Sequence, residues 1–431
     1  MSTASAHCLG CEAPLPPPFL DLGVTPLANS YVRSDCAYLP DEQYPLAVSY
    51  CDLCHLVQLR DIIPPNTIFH QYLYFSSYSD SYLAHARAMA DTLITSLSLG
   101  EHSTVVEVAS NDGYLLQYFQ QKDIPVLGVE PAENIARAAA ERGIPTLNCF
   151  FNTTAVPHVL ARAGRADLIV GNNVLAHVPA INDFLAAARS CLKPTGTAVF
   201  EFPHLLQLVR NVEFDTIYHE HFFYYSLHAV RRLAERCGLE VYDVSCQEVH
   251  GGSLRVFLQQ QRYHPISPAV QAILEEELTE GLTRPDRYAQ LSGRIEALRR
   301  DLISLLTTLR DGGNRIAGYG APAKGNTLLN YCGIGPDLVC YTVDRNPHKQ
   351  GCYLPGSRIP IHEPGRLLVD QPDYVLILPW NLTSEIVAQM GEYTRRGGRF
   401  IVPVPVPRIM GVETEIRTDD YDRLSALKGL Q

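Results

Sequence analysis

At 431 residues the chain is longer than one hydrophobic core usually serves, which predicts two or three domains; a hydrophobic share of 46% with 19% charged residues marks a globular protein. A formal net charge of −11 argues against a nucleic-acid partner, whose phosphates need a basic face, but leaves room for a small anion held by a local cluster of donors. No apolar run approaches the roughly 18 residues of a membrane span, and the N-terminus shows no apolar signal region, so a cytoplasmic protein without a membrane partner is expected.

Twelve cysteines in such a chain point to thiols or metal rather than disulfides. Four form two pairs, Cys8-x-x-Cys11 and Cys51-x-x-Cys54. Each spacing suits a tight turn that aims two thiolates at one ion, and four thiolates complete a tetrahedral Zn2+ shell. A closed shell leaves no open position for a substrate, so this zinc is expected to be structural, with His7 and His55 as bystanders. The other eight cysteines show no ligand spacing.

An aromatic stretch follows, Phe69 to Tyr82, in which Tyr72, Tyr74 and Tyr78 stand beside hydroxyl residues. It suits either the wall of a pocket or a packing layer, and it leads into a helix expected from about Tyr82 to Leu97. The run Thr104 to Ala109 predicts a buried parallel strand, Ser110-Asn111-Asp112-Gly113 a turn, and Tyr114 to Gln121 a short helix. The next strand, Val126 to Val129, ends on Glu130. In nucleoside-binding α/β folds an acid at the end of the second strand takes the ribose hydroxyls, while the first turn lets the backbone approach the ligand. A dinucleotide would want G-x-G-x-x-G; Ala109 and Asn111 stand where two of those glycines would be. Glu107 to Gly113 resembles a variant of the first motif of class I methyltransferases, which bind S-adenosyl-L-methionine. Ala166 to Gly171 is a further expected strand, running into Asn172, Asn173 and His177 at its carboxyl end. A helix over Ile181 to Leu192 and a strand over Gly196 to Phe202 follow.

The pentad Tyr218-His219-Glu220-His221-Phe222 places a phenol, a carboxylate and two imidazoles together, a set able to take a proton from carbon and steady the resulting anion. In an extended strand His219 and His221 would share a face, which also allows a two-histidine metal pair. Past Arg255 the segment from about Pro268 to Leu309 reads as helices, with Leu298, Leu302, Leu305 and Leu306 at helical spacing and Glu275-Glu276-Glu277 as a solvated face. A second strand-and-glycine turn, Arg315 to Gly320, precedes a helix from about Lys324 whose N-terminus suits a phosphate. Strands are expected at Val339 to Val343, ending in the polar cluster Asp344 to Lys349, and at Asp373 to Trp380 and Arg399 to Val404.

In order and wording the chain resembles the three-part sugar C-methyltransferases of deoxysugar biosynthesis. The resemblance rests on the two Cys-x-x-Cys pairs, Glu107 to Gly113, Asn172-Asn-Val-Leu-Ala-His177-Val, Tyr218-His-Glu-His221, His250-Gly-Gly-Ser253 and Gly318-Tyr-Gly-Ala-Pro-Ala-Lys-Gly325-Asn326. It covers nearly the full length. It implies an α/β architecture: a zinc-binding domain over 1–75, a doubly wound class I methyltransferase domain over 76–265, a helical connection over 266–312, and a Rossmann-like substrate-binding domain over 313–431. It implies methylation at C-3 of a nucleotide-linked 4-keto-deoxysugar, with Tyr218, Glu220 and His221 catalytic. His221 would remove the proton, Glu220 would orient the imidazole, and Tyr218 would donate to the enolate oxygen.

Cofactor contacts are expected from Glu107, Asn111, Asp112, Gly113, Glu130, Asn172 and Asn173. The nucleoside diphosphate keto-sugar is expected against Tyr72, Tyr74, Tyr78, His177, His250, Lys324, Asn326, Asp344 and Lys349, in a monomer or homodimer. One departure from the family pattern, Ser76-Ser77-Tyr78-Ser79 where several members carry Ser-Gly, leaves the sugar open. Two other functions fit the same residues: C-methylation of a polyketide or amino-acid-derived ketone, and partner binding by a zinc ribbon on a non-catalytic methyltransferase scaffold.

Overall fold

The computed structural model describes residues 3–4, 7–64, 76–78, 80–260 and 262–410. The chain packs as two compact units, neither continuous in sequence: one of Met1–Pro17, Ser49–Leu206 and Glu220–Pro285, the other of Pro18–Val48, Gln207–His219 and Asp286–Gln431. Tyr72 and Tyr74 lie outside the described residues, as do the side chains of Tyr78 and His250.

The first unit is built on a seven-stranded sheet. Its strands are β1 (Val105–Val108), β2 (Val126–Val129), β3 (Thr146–Leu147), β4 (Ala166–Asn172), β5 (Leu192–Pro203), β6 (Glu240–Gln247) and β7 (Ser253–Gln259), in spatial order β3-β2-β1-β4-β5-β7-β6. β1 to β5 pair in parallel, and β7 runs antiparallel to β5 and β6. The order reverses between β1 and β4, the point where an open α/β sheet opens its ligand crevice.

Seven described helices accompany the sheet: α1 (Asp80–Ser96), α2 (Leu116–Gln120), α3 (Glu133–Glu141), α4 (Val156–Ala163), α5 (Ile181–Cys191), α6 (Leu227–Arg236) and α7 (Pro268–Thr279). Of these, α3, α4 and α6 were not among those expected. On α1 the positions Ala86, Met89, Ala90 and Leu93 fall on one face by the 3.6-residue period. All four are buried in one core with Val105, Leu168, Val170 and Val199.

One expectation fails on α7. Glu277 is not part of a solvated face but fully buried. Val270, Leu274 and Glu277, spaced by four and three, form the helix's inward side, and all three are buried. Glu277 is tolerated there because four donors meet it: His204 Nε2 and His228 Nδ1, each at 2.7 Å, and the backbone amides of Leu227 at 2.6 Å and His228 at 3.1 Å. The last two are free amides at the start of α6, so Glu277 caps that helix from another element.

In the second unit the helix α8 (Pro285–Asp311) buries Leu298, Leu302, Leu305 and Leu306 on one face, as their spacing predicts. It precedes a six-stranded sheet. Its strands β8 (Ile316–Tyr319), β9 (Thr342–Val343), β10 (Ile361–His362), β11 (Tyr374–Ile377), β12 (Arg399–Val402) and β13 (Arg408–Met410) lie in the order β10-β9-β8-β11-β12-β13. All pairs are parallel except β12 with β13. The strand expected from Val339 is limited to Thr342–Val343. The helix α9 (Ala323–Cys332) follows the glycine turn after β8. The same unit holds Leu20–Thr25 and, as far as Val48, the strand Tyr44–Tyr50 that pairs antiparallel with it, Leu20 standing opposite Val48.

Candidate active site

Cys8, Cys11, Cys51 and Cys54 converge in the first unit, their sulfurs all within 4.8 Å of one another. Cys8 to Cys54 and Cys11 to Cys51 are each 3.5 Å. Zinc–sulfur bonds of about 2.3 Å give a tetrahedron edge of about 3.8 Å, so the donor set fits zinc. The two turns are alike: Glu12 and His55 donate their amides back to the carbonyls of Cys8 and Cys51, and both adopt positive φ. Hydrogen bonding to Cys51 pushes the Cys8 thiol up to about 12 and raises the Cys54 thiol as well. His55 is occupied elsewhere, its Nδ1 2.6 Å from the Tyr50 hydroxyl. The shell is closed, and its chemistry is structural. Just after Cys54, Gln58 and Val57 pair with Phe223 and Tyr224, so the zinc module holds the strand that the chain enters on leaving His221.

After β1 the turn places Ala109, Asn111 and Gly113 at positive φ. Room for it comes from Gly128 on β2, where a Cβ would lie 2.4 Å from the Ser110 hydroxyl. Glu130 at the end of β2 ties the turn down, its Oε2 accepting from the Asn111 amide at 3.0 Å and its Oε1 from the Ala132 amide at 2.9 Å. Burial pushes its carboxyl up to about 7, against the opposing pull of those two amides.

Glu107 is fully buried, and neither carboxylate oxygen has a hydrogen-bond partner among the described residues. Burial holds it well above the usual carboxylate range, with a smaller opposite pull from the nearby Tyr114 hydroxyl. The Asn172 amide nitrogen donates to the Tyr114 hydroxyl at 3.2 Å, while its buried oxygen finds no partner among the described residues. Asn173 reaches the Tyr82 hydroxyl at 3.5 Å. The Asp112 carboxylate accepts from Arg142 at 2.8 Å and from the Ser77 hydroxyl at 2.5 Å. The Ser76 amide donates to Asn111 Oδ1 at 2.9 Å, so the chain just before α1 rests on the turn.

The pentad forms a bend and turn rather than a strand, so strand alternation does not place His219 beside His221. Among the described residues the four cysteines are the sole grouping suited to a metal. The chain passes between the units after His219, so Tyr218 belongs to the second unit while Glu220 and His221 belong to the first. In the first unit the Phe222 amide donates to the Ala176 carbonyl at 2.7 Å, and the Tyr225 hydroxyl to the Leu175 carbonyl at 3.1 Å. That brace sets the His221 ring edge-on to His177 with centroids 4.8 Å apart. Burial depresses His177 to about 4, partly offset by a hydrogen bond to the Glu220 backbone, so His177 is a neutral neighbour. In the second unit His219 Nε2 lies 3.2 Å from the Pro45 carbonyl and packs edge-on to Tyr44.

Around the glycine turn of the second unit, Asp344 accepts from the Ala321 amide at 2.7 Å and sits 3.7 Å from Lys349, which donates to the Ala321 carbonyl at 2.8 Å. Lys324 lies over the Trp380 ring at 4.3 Å and donates to Asn381 at 2.9 Å. Burial pulls its ammonium down, while Asp215 and Glu213 push the other way. Asn326 is buried, its side-chain oxygen without a partner among the described residues.

Three polar residues of the first unit escaped the sequence reading. His85 Nε2 lies 2.7 Å from Glu201 Oε1, and Arg255 meets Glu201 Oε2 through Nε at 2.9 Å and a terminal nitrogen at 2.8 Å. Glu201 and Arg255 are buried opposite each other on β5 and β7, and Glu201 is also opposite Asn172 on β4. The signal available in the sequence was a lone carboxylate inside the apolar run Ala198 to Phe202, which needs a buried cation.

Family models match three successive segments of the chain. A zinc binding domain matches residues 8–69, a methyltransferase domain 82–244 and a C-methyltransferase C-terminal domain 248–405. The C-methyltransferase NovU of Streptomyces niveus is 37% identical over 398 residues, spanning 92% of this chain and 95% of that protein. Two solved structures are more distantly similar. An S-adenosylmethionine-dependent methyltransferase from Thermotoga maritima has a TM-score of 0.34 and 14% identity, over 46% of this chain and 100% of its own. The magnesium protoporphyrin IX methyltransferase of Synechocystis has a TM-score of 0.32 and 12% identity, over 46% of this chain and 89% of its own. No described helix is long and apolar enough to cross a membrane. With zinc binding, methyltransferase and C-terminal segments in one chain, and with that near full-length relative, the protein belongs to the family of S-adenosylmethionine-dependent C-methyltransferases.

Proposed function

We propose that the protein methylates C-3 of a nucleotide-linked 4-keto-deoxysugar. The observation that carries the reading is His221 braced beside neutral His177 in the unit whose sheet end also holds the orphaned carboxylate of Glu107 and the tethered one of Glu130. Unpartnered buried acceptors are what a cationic, hydroxyl-bearing cofactor requires. Glu107, the turn Asn111 to Gly113, Glu130, Asn172 and Asn173 would hold S-adenosyl-L-methionine, which supplies an electrophilic methyl group.

His221 takes the hydrogen on the carbon beside the ketone. Because His177 stays uncharged, it does not oppose the imidazolium that His221 becomes. Tyr218 donates to the enolate oxygen, and Glu220 orients the base. Lys324 and Lys349, each near the second glycine turn, together with Asn326 and Asp344, suit the diphosphate and sugar. A positioned base contributes about 10² to 10⁴-fold, so its loss cripples turnover.

The test is incubation with thymidine diphosphate 4-keto-6-deoxyglucose and cofactor, followed by product NMR. A methyl on carbon is expected, with exchange of the α-hydrogen into deuterated solvent that vanishes in His221→Asn. A methyl on oxygen, or a His221→Asn enzyme of normal rate, overturns the mechanism. Turnover of a non-sugar ketone alone would replace the substrate.

A further inference from the structure

Across the carboxyl end of the first unit's sheet, beyond the cofactor turn, lies an imidazole built as a hydrogen-bond acceptor. The turn and its two acids sit over β1 and β2. Glu201 and Arg255 lie on β5 and β7 with His85 of α1 against them, on the far side of β4, where Asn172 stands directly opposite Glu201. A ligand crevice at the switch point spans both sides of that reversal, so the side not used by the cofactor turn falls to the molecule being methylated.

Glu201 is held ionised: burial raises its carboxyl, but His85 and Arg255 outweigh it and leave it below the usual range. An ionised carboxylate only accepts, so the 2.7 Å contact requires the proton of His85 on Nε2. In the neutral ring Nδ1 then presents a lone pair, with Arg255 Nη2 also 3.5 Å from Nε2, and no hydrogen bond to Nδ1 is present among the described residues. The ring lies nearly parallel to Tyr82, with centroids 6.2 Å apart and an interplanar angle of 19°. Tyr82 in turn stacks on Tyr114 at 5.1 Å and receives Asn173 at 3.5 Å. The His85 side chain is 14% exposed, whereas Glu201 behind it is 0% exposed. Two buried charges spent on fixing one accessible ring, in a half of the crevice otherwise unassigned, exceed what packing needs.

We infer that His85, locked by Glu201 and Arg255, is a binding residue for the methyl acceptor, taking a hydroxyl of that molecule as a hydrogen-bond donor to Nδ1. The inference rests on the proposed sugar reading for the identity of the hydroxyl. It makes His85 a specificity determinant: an acceptor lacking that hydroxyl leaves Nδ1 unpaired and is discriminated against. No proton is transferred, and the base remains His221.

The experiment uses the zinc-loaded full chain with S-adenosyl-L-methionine and thymidine diphosphate 4-keto-6-deoxyglucose. His85→Leu is expected to raise the acceptor KM about ten- to a hundredfold with kcat within about threefold. His85→Asn, which keeps an acceptor near the Nδ1 position, recovers part of that loss. Cofactor affinity by calorimetry is unchanged in both and serves as the check on folding. Equal loss of cofactor affinity, or an unchanged acceptor KM, overturns the inference. Nitrogen NMR of the His85 ring in the unmodified protein decides the matter without turnover: an unprotonated Nδ1 supports it, a protonated Nδ1 sinks it. Failure of the sugar to react would remove the substrate reading and leave that measurement standing.

Discussion

Glu130 carries two opposed free energies that one substitution separates. Burial raises its carboxyl from 4.5 to about 7, which corresponds to about 3 kcal/mol. The folded value lies above the unfolded one. The contribution of the protonated carboxyl is therefore fully present below pH 4.5 and is lost as the pH rises through about 7. In the cofactor-free protein, ionised Glu130 is a cost. In the complex proposed above it would be an asset, because ribose hydroxyls donate more strongly to a carboxylate than to a carboxylic acid.

Cofactor affinity should therefore strengthen as the pH rises from 6 to 8, by up to about tenfold, the change one pKa unit brings. Glu130→Gln should flatten that dependence and weaken binding by about 1.5 to 3 kcal/mol, roughly 10- to 150-fold. It should leave the cofactor-free protein as stable as the parent, or more so, above pH 7. Glu130→Ala should lose the affinity too, and some stability, since the amides of Asn111 and Ala132 lose their acceptor. Titration calorimetry across that pH range, with denaturant melts of the cofactor-free proteins, measures both sides. Unchanged affinity in Glu130→Ala would remove Glu130 from the cofactor site. A loss of affinity matched by an equal loss of stability at pH 8 in Glu130→Gln would refute the argument that the acid is held for the ligand.

Cys8→Ser should lower stability and zinc content while sparing cofactor affinity, because the cysteine cluster and the turn after β1 share no residue; metal-free protein as first prepared would sink the zinc assignment. Glu277→Ala strips four buried donors of their acceptor and should cost about 3 to 5 kcal/mol in denaturant melts, with faster exchange of the Leu227 and His228 amides; a cost under about 1 kcal/mol would contradict the capping role. Hydrogen bonds from His204 and His228 outweigh burial and bring Glu277 to about 2. Its stabilisation is thus present above the unfolded value of 4.5 and lost as the pH falls through about 2, so the parent should soften in acid more steeply than Glu277→Ala. Tyr218→Phe should slow methyl transfer and solvent exchange together, less than His221→Asn does, and a change in only one of the two would break the shared-enolate mechanism.

What was legible in the sequence was whatever local spacing encodes. Cys-x-x-Cys fixes its own turn, so the two pairs could be joined across the intervening residues without knowing their path. Val-Val-Glu-Val followed by Ser-Asn-Asp-Gly announces a strand, a turn and an acid, and the strand, the turn and a buried Glu130 are all found where that pattern puts them. The pentad's shape was not legible, because its turn is set by the Ala176 carbonyl, and the chain just after it by that of Leu175, both from a distant segment.

Two buried acids were missed for different reasons, and the difference is instructive. Glu277 was readable: its spacing from Val270 and Leu274 already put it on the inward face of α7, and the run of three glutamates was misread because composition was weighed above period. Glu201 was only half readable. Its place in an apolar strand demanded partners, yet His85 lies 116 residues before it and Arg255 54 after, and no local pattern names either. Glu107 sits in an equally apolar strand, and its oxygens remain unmatched among the described residues. The same sequence signal, a carboxylate alone among valines and phenylalanines, thus has two outcomes in one sheet. Where the protein supplies the cation, as at Glu201, the acid orients a neighbouring side chain. Where it supplies none, as at Glu107, burial holds the carboxyl well above the usual range, and on the function proposed above the cofactor is what would meet it.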